Sequence, residues 1–394
     1  MFLIVGGGLA GVTAARTLRS LEPGAAITVV EAEPTPYYLR PGLIDVLAGR
    51  KTLPEITPFR REWFEHRGIA YRSGIAAVAL DPREHRVQLS SGESLRYDRL
   101  LLACGAEALW LEVPGSDLHG VFTLRSAADA ERIRTWAEGV RAAAVIGGGW
   151  LGIEVGRALA DLGLAVTVLE RGPWLLHRQL DAGAGEVLQT ALASQGVGVR
   201  PDATVTAFEG KGSVRAVRLA GGDEVLAGLV VVCAGIRPRV GLAASAGLAT
   251  ARGVVVDDHL TTSDPDVLAA GDVAEWRGMV YGIIPAAREQ GELAAWNMVH
   301  PRSAAYGGTF LRNKLNVAGI DLVCLGDTQP RGGPLRELRE ANPSPGRYVK
   351  FVLGPEGELA GAILLGAPEL VGPAEELAAA GGPAEGDLKR LLAS

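Results

Sequence analysis

The chain carries one glycine pattern twice, and each copy sits in the same local setting. The first copy is Gly6-Gly7-Gly8-Leu9-Ala10-Gly11 and the second is Gly147-Gly148-Gly149-Trp150-Leu151-Gly152. Each follows a short apolar run, Phe2–Val5 or Ala142–Ile146, and precedes a stretch of helical spacing, Val12–Leu21 or Ile153–Leu162. A second apolar run, Ala26–Val30 or Ala165–Leu169, closes each unit and ends at an acid, Glu31 or Glu170. Strand, glycine turn, helix, strand and acid, in that order, form a dinucleotide-binding unit. Two such units predict two nucleotide domains on one chain.

The glycines have separate tasks. Gly6 and Gly147 permit the tight turn. Gly8 and Gly149 let backbone N–H groups approach a pyrophosphate, and Gly11 and Gly152 let the helix pack closely on its strand. The helix N-terminus adds partial positive charge and unpaired donors. Glu31 and Glu170 stand where a carboxylate accepts hydrogen bonds from a ribose. At the second site the acid favours NADH over NADPH, because it bonds the 2′-hydroxyl and repels a 2′-phosphate. Arg171 pulls the other way, since an adjacent arginine suits a phosphate. Two further acids leave alternatives open at this level. Glu154 is either a carboxylate placed near a helix N-terminus or a polar group near the nicotinamide. Asp272, after Ala269-Ala270-Gly271, is either a cap or a partner for a polyol chain.

Length and composition set the outer bounds. The 394 residues suffice for two or three domains, and 48% hydrophobic against 21% charged residues predicts sizeable cores. A net charge of −6 argues against a general nucleic-acid role. Cys104, Cys233 and Cys324 lie far apart, with no CxxC and no Cys/His cluster, so neither a metal site nor a local redox disulfide is expected. Few cysteines suit a reducing cytoplasm. No apolar run reaches the ~20 residues of a membrane span. The first strand begins at Phe2, so no signal peptide is expected.

Between the two units, Ala70–Leu80, Arg86–Leu89 and Leu100–Ala103 read as strands. Gly198–Arg200, Ala216–Leu219 and Leu229–Cys233 continue the second unit, and Val254–Asp257 and Asp264–Asp272 form a return segment. Past Tyr306 the pattern changes to strands at Leu315–Val317, Leu322–Leu325, Tyr348–Leu353 and Leu359–Leu365, with a turn at Gly354-Pro355-Glu356-Gly357. The tail from Ala374 reads as helical.

Taken together, several segments resemble the FAD-dependent pyridine nucleotide–disulfide oxidoreductase superfamily. They are Val5–Gly11, Leu101–Ala106, Val145–Glu154, Cys233–Pro238 and Thr261–Asp272. The resemblance implies an α/β fold with two Rossmann-like, three-layer ββα domains binding FAD and NAD(P)H, plus a small C-terminal α+β domain. It implies a discontinuous FAD-binding domain at 1–110 and 240–305, an NAD(P)H-binding domain at 111–239, and the third domain at 306–394. It places Asp272 on the flavin ribityl chain and Glu31 on the adenosine ribose. It adds Leu9, Ala10, Ala76, Ala103, Gly105 and Gly271 to the first site, and Leu151 and Gly235 to the second. Cys104 stands where the family's Ala-Thr-Gly turn has threonine, so it reads as structural. Pro285 opens a segment, Ile284–Gly291, similar to the helix whose N-terminus faces the flavin pyrimidine.

Within the superfamily the likeness is closest to NADH:rubredoxin oxidoreductases and the flavin region of NAD(P)H nitrite reductases. It is carried by Pro36–Leu43, by Leu169–Leu176 with Arg178–Asp181, and by Lys314–Leu322. Relatives that reduce disulfides carry cysteine in the Tyr37–Gly49 region, and this chain has none there. Asp45 stands where several relatives have lysine, so a Lys–Glu pair with Glu154 is not available from that position. The implied reaction passes hydride from NADH to FAD, then electrons to a rubredoxin- or ferredoxin-like iron protein. Arg40 and Pro41 would shape the flavin pocket and Glu154 would orient the nicotinamide. The alternatives are an NAD(P)H oxidase, a peroxide or quinone reductase, or a nucleotide-sensing flavoprotein. Either a monomer or a homodimer is compatible.

Overall fold

The computed structural model describes residues 1–317, 319–330, 336–341 and 344–393. Ala318, in the segment Lys314–Leu322, lies outside the described residues. The chain divides into two compact units. One comprises Met1–Leu43, Lys51–Ala108 and Ile236–Thr309; the other comprises Ile44–Arg50, Leu109–Gly235 and Phe310–Ser394.

The first unit is built on a five-stranded parallel sheet. Its centre is β1 (Phe2–Val5), flanked by β2 (Ile27–Glu31) and by the strand Arg99–Leu102; Ile69–Ser73 and Val267–Ala269 form the edges. Val5 lies level with Val30 on one side and Leu102 on the other. These strands read as continuous apolar runs because a parallel sheet is covered on both faces. Helix α1 (Leu9–Leu21) and the helix Ile284–Val299 pack tightly together: a Cβ on Gly291 would lie 2.5 Å from the Ala10 carbonyl oxygen. An antiparallel meander, Ala77–Asp81, Arg86–Leu89 and Ser94–Arg96, shares the core through Leu80, Val87 and Leu89. Sheet, meander and helices make the three layers.

The second unit repeats that plan. β3 (Ala142–Ile146), β4 (Ala165–Leu169) and three further strands form a parallel sheet, with α2 (Trp150–Asp161) following the second glycine turn. A meander, Val205–Lys211, Ser213–Leu219 and Glu224–Leu226, meets the sheet through Phe208, Val217, Ile146 and Val230. Helix α3 (Ala182–Ala193) follows β4. The same unit holds a five-stranded antiparallel sheet near the C-terminus. Its strands are β5 (Arg312–Val317), β6 (Ile320–Gly326), β7 (Arg336–Arg339), β8 (Tyr348–Leu353) and β9 (Leu359–Leu365), in spatial order β5-β6-β9-β8-β7. Phe351, Leu353 and Leu364 pack with Ala374 and Leu388 from the last two helices.

Four departures from the sequence reading have local causes. Both glycine-turn helices begin earlier, at Leu9 and Trp150, because Gly8 and Gly149 already act as N-caps. The expected strand Ala70–Leu80 is two strands, broken at Gly74 in the left-handed region (φ +74°). β7 reads Arg-Glu-Leu-Arg and carries little apolar signal, as suits an edge strand. The tail is two helices, Val371–Ala380 and Glu385–Ala393; the first ends at left-handed Gly381.

Candidate functional site

Each unit places its glycine turn between a strand end and a helix start. In the first, Gly6 adopts φ +112°, and a Cβ there would lie 2.1 Å from the Ala103 carbonyl oxygen. A Cβ on Gly11 would lie 1.9 Å from Gly6 O, so that glycine is needed for packing. A Cβ on Gly8 would meet no protein atom within 4 Å. Gly8 is therefore not required by the protein's own packing, and its bare backbone faces space that no protein atom fills. No side chain caps α1, although Gly8 is its N-cap. The second turn repeats these relations. A Cβ on Gly147 (φ +110°) would lie 2.5 Å from Cys233 O, one on Gly152 would lie 1.9 Å from Gly147 O, and one on Gly149 would meet nothing within 4 Å.

The acids bind the turns themselves. Glu31 Oε2 accepts the Gly7 N–H at 2.5 Å, and its Oε1 accepts the Glu33 N–H at 2.8 Å. Glu170 accepts the Gly148 and Gly172 N–H groups, both at 2.6 Å. Two amides fix each carboxylate and still leave lone pairs for ribose hydroxyls. The Nδ1 atom of His177 lies 3.3 Å from Glu170 Oε1.

Beside Glu31 is a recess lined by Gly7, Gly8, Glu33, Tyr37, Tyr38, Arg40 and Tyr71. Arg40 donates to Glu33 at 2.8 Å, and the Tyr38 hydroxyl donates to the other Glu33 oxygen at 2.5 Å. Burial opposes the Arg40 charge, but Tyr38 and Glu33 outweigh it and hold its pKa above the ordinary value. The Tyr71 hydroxyl is buried with no well-formed hydrogen bond. Burial, reinforced by Glu31, pushes its pKa up, so it remains a donor. A buried donor beside a carboxylate and a bare glycine turn fits an adenosine ribose and pyrophosphate. The second turn has the bare glycine, Gly149, and the carboxylate, Glu170, and on those two features it fits a dinucleotide.

The other expected residues take the following positions in the fold. The Ala76 N–H is tied to Ser90 Oγ at 3.1 Å. Ala103 N–H donates to Val5 O at 2.7 Å, and Gly105 O accepts the Arg239 N–H at 2.9 Å. Cys104 Sγ faces Arg239 O, and burial pushes its thiol up to about 11. Gly271 (φ +79°) lies against α1, since a Cβ there would lie 3.0 Å from Ala10 Cβ; its N–H donates to Gln290 Oε1 at 2.8 Å. Asp272 follows in a short 3-10 turn. Pro41 sits in the turn Arg40–Gly42, and Pro285 in the first turn of its helix. In the second unit, Leu151 is exposed on α2 and Gly235 adopts φ +115°. Burial, and then the charge of Asp45, pushes the Glu154 carboxyl up to about 7. The position expected to lack a cation thus supplies an anion. Among the described residues, no group of three or more His, Cys, Asp or Glu could hold a metal ion. Within the same limits, no helix is long and apolar enough to cross a membrane.

Sequence reasoning missed Glu33, Tyr71, Gln290 and His177. Glu33 alone had a local signal, as a second acid two residues after Glu31. Tyr71 and Gln290 come from a distant strand and a distant helix, and His177 comes from the loop that follows Glu170.

The profile of pyridine nucleotide-disulphide oxidoreductases matches residues 2–291. A nitrite reductase [NAD(P)H] of Bacillus subtilis is 33% identical over 92% of this chain but only 45% of its own length, so the chain spans about half of that relative. The biphenyl dioxygenase system ferredoxin–NAD(+) reductase component of Paraburkholderia xenovorans is 40% identical over 69% of this chain and 67% of its own. NADH-rubredoxin oxidoreductase of Clostridium acetobutylicum is 32% identical over 83% of this chain and 82% of its own. The solved putidaredoxin reductase–putidaredoxin complex superposes with TM-score 0.89 at 26% identity, covering 98% of this chain and 94% of the other. With both glycine turns inside the matched region, the chain belongs to the FAD- and NAD(P)H-dependent pyridine nucleotide-disulphide oxidoreductase family.

Proposed function

We propose that the protein moves electrons from NADH through FAD to a small iron protein of the rubredoxin or ferredoxin kind. The observation that carries this reading is the absence of a reactive cysteine. Residues Tyr37–Gly49 contain none, and burial raises Cys104, Cys233 and Cys324 to about 11, 12 and 12. A thiol needs its thiolate to attack a disulfide. The output is therefore an external acceptor, and relatives named for rubredoxin and ferredoxin reduction support an iron protein. Bound FAD would take a hydride and release electrons singly, the conversion an iron centre requires.

The chain's own residues supply binding and orientation. We assign 1–110 and 240–305 to FAD, 111–239 to NAD(P)H, and 306–394 to a third domain. Gly6–Gly11 and the start of α1 hold one pyrophosphate, with Glu31 on its ribose; Leu9, Ala10, Ala76, Ala103, Cys104 and Gly105 border this site. Gly271 and Asp272 meet the polyol chain, Pro285 starts the helix that faces the flavin ring, and Arg40 and Pro41 shape the pocket. Gly147–Gly152 hold the second pyrophosphate, with Leu151 and Gly235 beside it. Glu170 selects NADH, and Glu154 orients the nicotinamide. Three unpaired thiols suit the cytoplasm.

Steady-state turnover tests the reading. NADH oxidation by the FAD-loaded protein should be much faster with rubredoxin or ferredoxin than with oxygen alone. Equal rates would replace the carrier with a small-molecule acceptor. A protein that binds no FAD would overturn the whole reading.

A further inference from the structure

The loop between Glu170 and α3 has two halves with different partners. Its first half folds back over the second glycine turn. Leu176 adopts a left-handed backbone (φ +51°), and its N–H donates to Gly148 O at 2.9 Å. Leu175 is fully buried, and a Cβ on Gly148 would lie 2.5 Å from its Cδ2. The His177 ring fills the space over Gly172, where a Cβ would lie 2.3 Å from Nδ1. This half therefore builds the surroundings of the Glu170 carboxylate.

The second half is gripped from the C-terminal sheet. Thr328 Oγ1 donates to Gln179 O at 2.6 Å, and Thr328 is only 4% exposed. Gln329 Nε2 donates to His177 O at 3.3 Å and also to Leu180 O. Asp181, which caps α3 by accepting the Ala184 N–H, accepts the Tyr348 hydroxyl at 2.8 Å. It also pairs with buried Lys350 at 3.2 Å. Three successive backbone carbonyls or side chains of the loop, at Gln179, Leu180 and Asp181, thus take their partners from β8 and from the segment after β6. An irregular loop with a residue at positive φ keeps one shape only when its surroundings over-determine it. A loop ordered before binding does not charge that ordering to the ligand.

We propose that Thr328 and Gln329 are positioning residues for the pyridine nucleotide, holding the loop 172–181 in the shape that sets Glu170 and His177 against its adenosine ribose. The proposal rests on the reading that the second unit binds NAD(P)H. It gives the C-terminal sheet a task in nucleotide affinity. By reciprocity, a nucleotide that tightens the loop also tightens the sheet that grips it.

The test uses the FAD-loaded protein and its T328V, T328S and Q329A variants. Loss of one such hydrogen bond should weaken NAD⁺ binding about fivefold to tenfold. The Kd for NAD⁺, read by calorimetry, should rise by that factor in T328V and Q329A and stay within about twofold of wild type in T328S. The KM for NADH should rise with it, while FAD content and kcat with ferricyanide hold. Hydrogen exchange on the unsubstituted protein gives a second measure: NAD⁺ should slow exchange in 322–330 and 348–353 as well as in 170–181. Unchanged Kd values, protection confined to 170–181, or joint loss of FAD and kcat would each overturn the proposal while leaving the nucleotide site standing. A wild-type protein that binds no NAD⁺ would overturn the site and the proposal together.

Discussion

The Glu170 carboxylate accepts the Gly148 N–H at 2.6 Å, tying the acid at the end of β4 directly to the glycine turn. The same carboxylate accepts the Gly172 N–H, so its position is fixed before any ligand arrives. On the proposed reading, E170Q keeps one oxygen acceptor but removes the charge that would repel a 2′-phosphate. The ratio of kcat/KM for NADH to that for NADPH should fall at least tenfold, about 1.4 kcal/mol of discrimination. An unchanged ratio in steady-state assays with both nucleotides would remove Glu170 as the selector. E170A should cost stability as well, because the buried Gly148 amide loses its partner at about 1–3 kcal/mol and the part-buried Gly172 amide loses its own at less.

Gly8 and Gly11 of the first turn should separate structure from ligand binding. G11A places a Cβ 1.9 Å from Gly6 O and should unfold or strongly destabilise the first unit. G8A places a Cβ where the protein has no atom within 4 Å, at an ordinary extended backbone. Its apoprotein should keep its thermal stability within about 1 kcal/mol, the scale of an exposed cap change. Its affinity for FAD, read from reconstitution titrations, should drop tenfold or more. Full FAD affinity in G8A would mean that no phosphate lies over Gly8.

The cysteines should be inert. Burial holds all three thiols above their ordinary range. Iodoacetamide at pH 7 should leave the native FAD-loaded protein unmodified by mass spectrometry, with acceptor reduction intact. Loss of activity in step with alkylation of any one cysteine would bring thiol chemistry back into the reaction.

The repeated architecture was legible because it rests on local pattern. Phe2–Val5 and Ala142–Ile146 are short apolar runs against glycine turns, and both became central strands. The acids Glu31 and Glu170 were legible from spacing, but their bonds to Gly7 and Gly148 were not, since those arise only when the second strand pairs beside the first. Tyr71 enters its recess from a strand whose alternation says nothing of a ligand. Thr328 and Gln179 meet through tertiary packing alone. β7 was invisible because its four residues carry three charges. What the chain's pattern could not encode locally, it encoded in which distant segments face each other.

Glu154 should make stability depend on pH in a direction opposite to that of a salt-bridged carboxylate. It stands on α2 with Arg157 and Asp161, which pair with each other. Asp161 and Asp45 both pair with Arg50, at 2.7 and 3.0 Å. Arg50 is thus engaged by two other carboxylates, while burial and the Asp45 charge raise Glu154 from 4.5 to about 7. The folded protein therefore holds a proton on Glu154 that the unfolded chain releases near 4.5. Wherever the folded state binds more protons, stability falls as pH rises. The contribution of Glu154 is fully present below about 4.5 and is lost as pH climbs through about 7. E154Q stays neutral and lacks this loss, so its Tm relative to wild type should rise between pH 5 and about 7.5 and then level off. D45N removes the smaller of the two causes and should shift the wild-type decline to lower pH without abolishing it. Thermal melts of the three proteins across that range check the sign: a wild type that gains on E154Q with rising pH would show that Glu154 is paired with a cation rather than facing Asp45.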